Sequence, residues 1–236
     1  PKTGKILAFG NYPTFNPGSY AESAVSVFLN PGVQSVYEPG SVFKIITMAA
    51  GIDSGKITPD TVYTDTGSLT LNGKTIRNYD GKVYGRTTMA KVIENSINTG
   101  AAFAESKTGH DNFYRYAVNF GFKSKTGIEL PGEVSGSLKS LERDARDINF
   151  ATASFGQGAA VTPIELISAV SAIANGGVLM RPYLVSRDDP ETVRRVIKPE
   201  TAEQVTKMMV AAVQNANVAH IQNYKVAGKT VTAQIP

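Results

Sequence analysis

The segment Tyr37–Lys56, YEPGSVFKIITMAAGIDSGK, decides how the rest of the chain is interpreted. A Pro-Gly turn precedes a run of apolar residues that starts at Phe43, and this pattern predicts a mostly buried helix that ends near 51–55. Ser41 is expected on the first turn of this helix, and Lys44 follows three residues later on the same face. The segment therefore predicts contact between a hydroxyl and an amine at the start of a buried helix.

This serine and lysine pair has the chemistry of a nucleophile with its base. A serine hydroxyl is a poor nucleophile until a base removes its proton, and a lysine acts as that base when burial and neighbouring cations lower its pKa. Backbone N–H groups at the helix N-terminus would stabilise an oxyanion above Ser41. Taken alone, however, Ser-x-x-Lys is common by chance, and a helix cap beside a solvated lysine is the simpler explanation.

Two further short elements follow along the chain. Ser96-Ile97-Asn98 lies in a predicted loop between two helices, where a hydroxyl and an amide can both point into a cleft. Lys229-Thr230 lies in a predicted strand near the C-terminus, where exposed polar groups are ordinary. Each element by itself is weak evidence for a functional site. Their order and their separations, about 55 and about 130 residues, make the three informative together.

The wider sequence predicts strands at both ends of the chain and helices in the middle. Asn72-Gly73 predicts a hairpin turn, and Thr162 with Glu165 predicts a capping box for a helix that closes at Gly176-Gly177. The terminal strands are expected at 5–9, 193–197 and 224–234, with a helix at about 200–214. This order favours an α/β fold of the α+β type: an antiparallel sheet built from terminal segments, flanked by helices, with an inserted mainly helical lobe.

The composition excludes several classes of function. The chain has 236 residues, 42% of them hydrophobic, so it can bury a core and is expected to form one domain. It has no cysteine and two histidines far apart in sequence, which argues against Cys-based sites, His-based triads and His-rich metal sites. The net charge of +4 is spread along the chain, so nucleic-acid binding is not expected. No run approaches the about 18 apolar residues of a membrane span, and any anchor is expected upstream.

The sequence around the three elements resembles the penicillin-binding protein transpeptidase domain. Ser-x-x-Lys, Ser-x-Asn and Lys-Thr-Gly in this order are a signature of penicillin-binding proteins and class A β-lactamases. The flanking segments resemble the class B, monofunctional transpeptidases more than the bifunctional enzymes or the lactamases. These segments, which span nearly the whole chain, are YEPGSVFK, NSINTGAAFAE, GFKSKTGIELPGE, FGQGAAVTPIELISAVSAIANGG and VAGKTVTAQ. The resemblance implies one transpeptidase domain over 1–236, with no metal or organic cofactor.

The resemblance also implies an acyl-enzyme reaction on peptidoglycan stem peptides. Ser41 would attack the penultimate D-Ala carbonyl and expel the terminal D-Ala, and the amine of a second stem peptide would then take the acyl group. Lys44 would act as the base in its neutral form. Ser96 would relay a proton to the leaving amine, and Asn98 would hold the substrate amide and Lys44. β-Lactams mimic the D-Ala-D-Ala end and would acylate the same serine.

The third element would bind the carboxylate end of the substrate. By resemblance, Lys229 supplies positive potential, and the hydroxyls of Thr230 and Thr232 bind the terminal carboxylate. The backbone N–H groups of Ser41 and Thr232 would form the oxyanion hole. The implied partners are stem peptides, β-lactams and cell-wall synthesis proteins. The implied location is the outer face of the cytoplasmic membrane, with the anchor upstream of this chain.

The sequence departs from the family pattern in two places. Val231 stands where the family has glycine, and in a strand it would share a face with Lys229 and narrow the cleft. We therefore expect slower acylation than in a Val231→Gly variant. The family also continues beyond this strand, whereas the sequence stops at Pro236, so the domain is expected to be incomplete at its C-terminal end.

Two alternatives stay open at the level of sequence. A D,D-carboxypeptidase or a β-lactamase would use water rather than an amine to release the acyl group from Ser41. A catalytically impaired module that binds β-lactams or serves as a scaffold would keep the fold without turnover, and Val231 gives a physical reason to test this possibility.

Overall fold

The computed structural model describes residues 1–79, 81–186, 189–216, 219 and 221–231. The helices in this part of the chain are α1 (Pro31–Gln34), α2 (Lys44–Asp53), α3 (Met89–Glu94), α4 (Asn98–Thr108), α5 (His110–Asn119), α6 (Asp147–Ala153), α7 (Pro163–Ala174) and α8 (Pro199–Ala216). The strands are β1 (Val62–Asp65), β2 (Ser68–Leu71), β3 (Lys74–Arg77), β4 (Gly85–Thr88), β5 (Val178–Met180) and β6 (Thr192–Arg195). They form three two-stranded antiparallel sheets: β1 with β4, β2 with β3, and β5 with β6.

The predicted helix in the deciding segment is α2, and it lies at the centre of the fold. Every residue from Lys44 to Ile52 is buried, as expected for a helix that is apolar on all sides. It is surrounded by α3, α4, α5 and α8. The ring of Phe43, just before α2, lies 6.3 Å from Phe113 and 5.1 Å from Phe122 between centroids. This core fixes the N-terminal end of α2, where Ser41 is located.

Ser41 itself lies in a short 3-10 turn, Gly40–Phe43, that leads directly into α2. Gly40 has a φ of 56°, and its N–H donates to the carbonyl oxygen of Gly156 at 3.2 Å. Gly156 also has a positive φ, 83°, and a Cβ at this position would overlap the backbone of Gly40. The close approach of these two glycines therefore sets the position of the turn that carries the serine.

The local sequence signals are confirmed. Asn72 and Gly73, with φ of 48° and 74°, form the tight turn between β2 and β3. Thr162 Oγ1 accepts from Glu165 N at 3.2 Å while Glu165 Oε2 accepts from Thr162 N at 2.8 Å, which is the predicted capping box of α7. After α7 the chain turns at Gly176, whose φ is 62°. Signals of this kind depend only on residues within a few positions of one another.

The mixed α/β class, with a mainly helical lobe and short antiparallel sheets, is confirmed. The predictions of strands at 5–9 and at 224–231 are wrong. The segment 5–9 forms a single isolated parallel bridge, from Lys5 to Tyr183, and does not extend it into a β-ladder. In 224–231 no strand forms, and Gly228 N donates to Met209 O of α8 at 3.3 Å instead. Strand pattern predicts a ladder only where a neighbouring strand is available to complete it. The rest of the predicted last strand, 232–234, lies outside the described residues.

Candidate active site

Four side chains from separate parts of the sequence meet at the N-terminal end of α2. Lys44 Nζ lies 3.2 Å from Ser41 Oγ and 3.1 Å from Ser96 Oγ. It also donates to the Ser96 carbonyl oxygen at 2.6 Å and to Asn98 Oδ1 at 2.8 Å. Ser96 Oγ lies 3.0 Å from Ser41 Oγ. The structure therefore places these four predicted site residues in one hydrogen-bonded cluster.

The loop between α3 and α4 has an unusual backbone that presents Ser96 to the lysine. Ser96 has a φ of 55°, a left-handed conformation that residues other than glycine rarely adopt and that recurs at functional sites. The next residue, Ile97, is buried, and its N–H donates to Val92 O at 3.0 Å. The loop is thereby fixed to α3, and both the hydroxyl and the carbonyl oxygen of Ser96 face Lys44.

Asn98, the first residue of α4, uses both ends of its side-chain amide. Its Oδ1 accepts from Lys44 Nζ, and its Nδ2 donates to the carbonyl oxygen of Arg77 at 2.9 Å. Arg77 is the last residue of β3. Because a carbonyl oxygen only accepts, the contact with Arg77 determines which end of the amide faces Lys44.

Lys44 has the environment that the sequence required of a base. Its side chain is fully buried, and its Nζ lies 6.0 Å from the centroid of the Phe155 ring. Burial lowers its pKa well below the ordinary value of 10.5, and the positive charge of Lys229 lowers it further. Both effects favour the neutral amine beside Ser41.

The Lys229 segment lies near this cluster in an irregular conformation. Lys229 is half-buried, and burial lowers its pKa to about 8. Its Nζ donates to Thr230 O at 3.0 Å and to Thr230 Oγ1 at 3.3 Å. Val231 is 51% exposed, and because no strand forms here, the expectation that Val231 shares a strand face with Lys229 is wrong for the described residues. Thr232 lies outside them.

A cleft of about 750 Å³ opens over the nucleophile. Ser41, Ser96, Asn98 and Thr230 all line it, and one wall is formed by β3 and the residues that follow it. Another part of the lining is the Gly156-Gln157 turn, which the sequence pattern predicted as a tight turn and not as part of a site. Glu38 supports that turn, since its Oε1 accepts from Gly158 N at 2.7 Å. The only signal for these residues was their position in segments that resemble the family.

Within the described part of the chain, no group of His, Cys, Asp and Glu side chains is arranged to hold a metal ion. His110 contacts Glu105 and Asp147 away from the cleft, at 2.7 Å and 3.2 Å. His220 lies outside the described residues. Nor does any described helix have the length and hydropathy needed to cross a membrane.

Comparison with known families agrees with the geometry of this cluster. The family model described as the penicillin-binding protein transpeptidase domain matches residues 1–236, the whole chain. The chain belongs to this family. The resemblance drawn from the three short elements and their flanking segments is thus confirmed.

Relatives of this transpeptidase domain include curated proteins and solved structures. The chain is 38% identical over 251 residues to stage V sporulation protein D of Bacillus subtilis (strain 168), covering 99% of the chain and 38% of that protein. It is similar to penicillin-binding protein A from M. tuberculosis, solved as a ceftriaxone acyl-enzyme complex, with a TM-score of 0.88, 26% identity and coverage of 100% and 59%. The D,D-transpeptidase domain of a peptidoglycan glycosyltransferase from Eggerthella lenta gives a TM-score of 0.87, 28% identity and coverage of 100% and 65%.

The transpeptidase domain thus spans about two fifths of the length of the curated relatives it matches, as in the 38% of the sporulation protein. The activity, substrates and partners of a whole protein of that kind are therefore argued below as proposals.

Proposed function

We propose that this domain is a peptidoglycan D,D-transpeptidase that cross-links stem peptides through an acyl-enzyme on Ser41 and that β-lactams acylate the same residue. One observation carries the proposal: a fully buried lysine, with its pKa lowered, has its Nζ 3.2 Å from the serine hydroxyl. Such a lysine is a base poised to remove the proton of the nucleophile.

The contacts of Lys44 support its action in the neutral form. The Ser96 carbonyl oxygen and Asn98 Oδ1 can only accept hydrogen bonds from it. A neutral amine has two N–H bonds, which these two oxygens occupy. Its lone pair is then left to accept from the Ser41 hydroxyl, while the Ser96 hydroxyl donates to Ser41 Oγ at 3.0 Å. Ser41 would transfer its proton to Lys44 as its Oγ forms a bond to the D-Ala carbonyl carbon.

Release of the terminal D-Ala needs a proton on its amine when the C–N bond breaks. Ser96 Oγ lies 3.1 Å from Lys44 Nζ, which would hold the proton, and 3.0 Å from Ser41 Oγ, the atom that would be bonded to the reacting carbonyl carbon. We assign Ser96 the relay of that proton from Lys44. Asn98 would hold the substrate amide, and the acceptor amine of a second stem peptide would return the enzyme to its free state.

The substrate's terminal carboxylate would bind at the part of the cleft where Thr230 lies. Lys229 would attract it, and Thr230, which lines the cleft, would donate a hydrogen bond from its hydroxyl. The same role for Thr232 and its part in the oxyanion hole with Ser41 rest on the family resemblance alone. A place for Val231 beside the substrate rests on that resemblance too, although Val231 is not among the described residues that line the cleft.

One feature of the cleft favours transfer to an amine over hydrolysis. Among the described residues that line the cleft, Glu38 is the only carboxylate, and it already accepts a hydrogen bond from Gly158. A carboxylate free to activate water is therefore missing from this described lining. We propose accordingly that no carboxylate of this lining assists hydrolysis of the acyl-enzyme, which argues against a β-lactamase that deacylates through a glutamate.

The partners and location follow from the substrate. Peptidoglycan is assembled outside the cytoplasm, so we propose that the domain acts at the outer face of the cytoplasmic membrane. A membrane anchor would lie upstream of this sequence, and cell-wall synthesis proteins would be its neighbours. No nucleic acid, metal or organic cofactor enters the proposal.

Intact-mass spectrometry after incubation with a penicillin tests this function. We expect a stable adduct in the parent protein and in Ser54→Ala, and none in Ser41→Ala. Ser54 is a matched control because it lies at the other end of α2 and donates to Ala50 O at 2.7 Å. An adduct that disappears within minutes would favour a β-lactamase. No adduct on a folded parent protein would favour the non-catalytic module.

A further inference from the structure

Asp65, the last residue of β1, is a buried carboxylate that the sequence did not single out. It is 1% exposed. Its Oδ1 accepts from Gly67 N at 3.0 Å and Thr99 Oγ1 at 2.6 Å, and its Oδ2 accepts from Asn78 Nδ2 at 3.0 Å and Tyr84 N at 2.7 Å. Burial raises its pKa, but these four hydrogen bonds outweigh burial, and the pKa lies below its ordinary value. The group is therefore an anion held by four donors.

Two of these donors, Thr99 and Asn78, are next in sequence to Asn98 and to its hydrogen-bond partner Arg77. Thr99 follows Asn98 at the start of α4, and Asn78 follows Arg77, whose carbonyl oxygen accepts from Asn98 Nδ2. Thr99 and Asn78 also bond to each other, because Asn78 Oδ1 accepts from Thr99 N at 3.3 Å. Asp65 thus connects the end of β3 with the start of α4 by hydrogen bonds, next to the place where the Asn98 side chain also connects them.

We propose that Asp65 is a positioning residue for acyl transfer to Ser41 and that it acts through Asn98. By fixing the end of β3 against the start of α4, it keeps Asn98 Nδ2 on Arg77 O and directs Asn98 Oδ1 toward Lys44. Asp65 is not among the residues that line the cleft, so its influence on the reaction passes through these neighbours. The reaction it serves is the proposed function, and the inference deepens that proposal.

Asparagine at this position has nearly the same shape but the wrong hydrogen-bonding pattern. The side-chain nitrogen of asparagine donates and cannot accept, so in either orientation of the amide it would face a backbone N–H, that of Gly67 or that of Tyr84, which now donates to a carboxylate oxygen. In Asp65→Asn we therefore expect β3 and α4 to shift relative to each other. Acylation depends steeply on such shifts, and the rate constant of the penicillin-bound complex is expected to fall by about tenfold to a hundredfold.

The chain offers a matched control for this change. Asp53 accepts from Lys198 N at 2.7 Å, Thr201 Oγ1 at 2.9 Å and Tyr116 OH at 2.7 Å, at the end of α2 away from Ser41. Asp53→Asn therefore also replaces a multiply bonded carboxylate by its amide. We expect both variants to lower Tm and only Asp65→Asn to slow acylation at a temperature where each protein is folded.

A double-mutant cycle tests whether the effect passes through Asn98. In an Asn98→Ala background, Asp65→Asn is expected to slow acylation by less than about twofold, because the group that it positions is gone. Rate losses that multiply in the double variant would overturn the inference, since Asp65 would then act independently of Asn98. A folded Asp65→Asn protein that is acylated at the parent rate would overturn it as well.

A readout that does not need acylation separates this inference from the proposed function. The side-chain amide ¹H–¹⁵N resonances of Asn98 can be identified by their loss in Asn98→Ala. We expect them to shift in Asp65→Asn and to stay in place in Asp53→Asn, whether or not Ser41 is acylated. If Asp65→Asn does not fold, Thr99→Val removes one donor, and unchanged Asn98 resonances in this variant would refute the inference.

Discussion

Replacing Lys229 by arginine is expected to widen the pH range over which Ser41 is acylated. Burial lowers the pKa of Lys229 to about 8, so this side chain loses its charge only slightly above neutral pH. Its proposed attraction for the substrate carboxylate is lost with that charge. A guanidinium stays protonated throughout this range, so Lys229→Arg keeps the attraction.

The parent protein is expected to give a bell-shaped profile of acylation rate against pH. The rate rises as Lys44 loses its proton, at a pH well below 10.5 because burial and Lys229 lower its pKa. It falls above pH 8 as Lys229 loses its proton. One pH unit above its pKa, about a tenth of Lys229 is still charged, so the rate near pH 9 should be about tenfold below the maximum. In Lys229→Arg this fall is absent.

The assay is the second-order rate of labelling by a fluorescent penicillin from about pH 6 to about pH 10. Ser41→Ala, run in parallel, corrects for hydrolysis of the reagent. The shapes of the profiles are compared rather than their maxima, because arginine does not match lysine in geometry. A parent rate that stays level through pH 9, or an equal fall in the arginine variant, would refute the reasoning.

An uncharged residue at position 229 is expected to move the rising limb of the same profile. In Lys229→Gln the cation that disfavours the Lys44 ammonium is removed, so the pKa of Lys44 rises. The rising limb is therefore expected at higher pH than in the parent protein.

Two further changes test the conformation around the site and the stability of the fold. Val231→Gly is expected to alter the acylation rate by no more than about twofold, because the valine side chain is half exposed and does not line the cleft. A variant that is acylated much faster would show instead that Val231 obstructs the cleft. Thr162→Ala is expected to cost about 1 kcal/mol of unfolding free energy, seen as a Tm about 2–4 °C lower, because it removes the cap of α7. Thr206→Ala, within α8, is the control and should leave Tm unchanged or higher; equal losses in the two variants would contradict the capping argument.

The features that residue patterns predicted correctly, without the family resemblance, are those determined by nearby residues. The Thr162 capping box and the Asn72-Gly73 turn each need only a few positions of sequence, and the structure has both. The contact of Ser41 with Lys44 belongs to the same kind, because a spacing of three residues places both side chains on one face of a helical turn. The burial of Lys44 is known from the structure, since the Ser-x-x-Lys spacing by itself also fitted a solvated lysine.

The terminal strands were not predictable in this way because a strand depends on its neighbour. Lys5 pairs with Tyr183 in a single β-bridge. The Lys229 segment is hydrogen-bonded to α8 through the backbone N–H of Gly228. Neither segment differs from a strand in its own alternation of residues. Whether a ladder forms depends on backbone groups far away in sequence.

The same limit explains why Asp65 was missed. It is the last residue of β1 and is followed by a glycine turn, which are the sequence surroundings of an ordinary hairpin aspartate. Its importance arises from donors 13, 19 and 34 residues away that converge on one carboxylate. A pattern search along the chain has no signal for such a group, since each donor is unremarkable by itself.

The proposed reaction requires opposite charge states of Lys44 and Lys229, and the different burial of the two side chains favours both. Lys44 must be neutral to take a proton, whereas Lys229 must be charged to attract a carboxylate. Lys44 is fully buried and Lys229 only half-buried, so desolvation favours loss of the proton from Lys44 first. The charge that remains on Lys229 then lowers the pKa of Lys44 further. The pH range in which this site is competent is thus set by the difference in burial between two side chains of the same type.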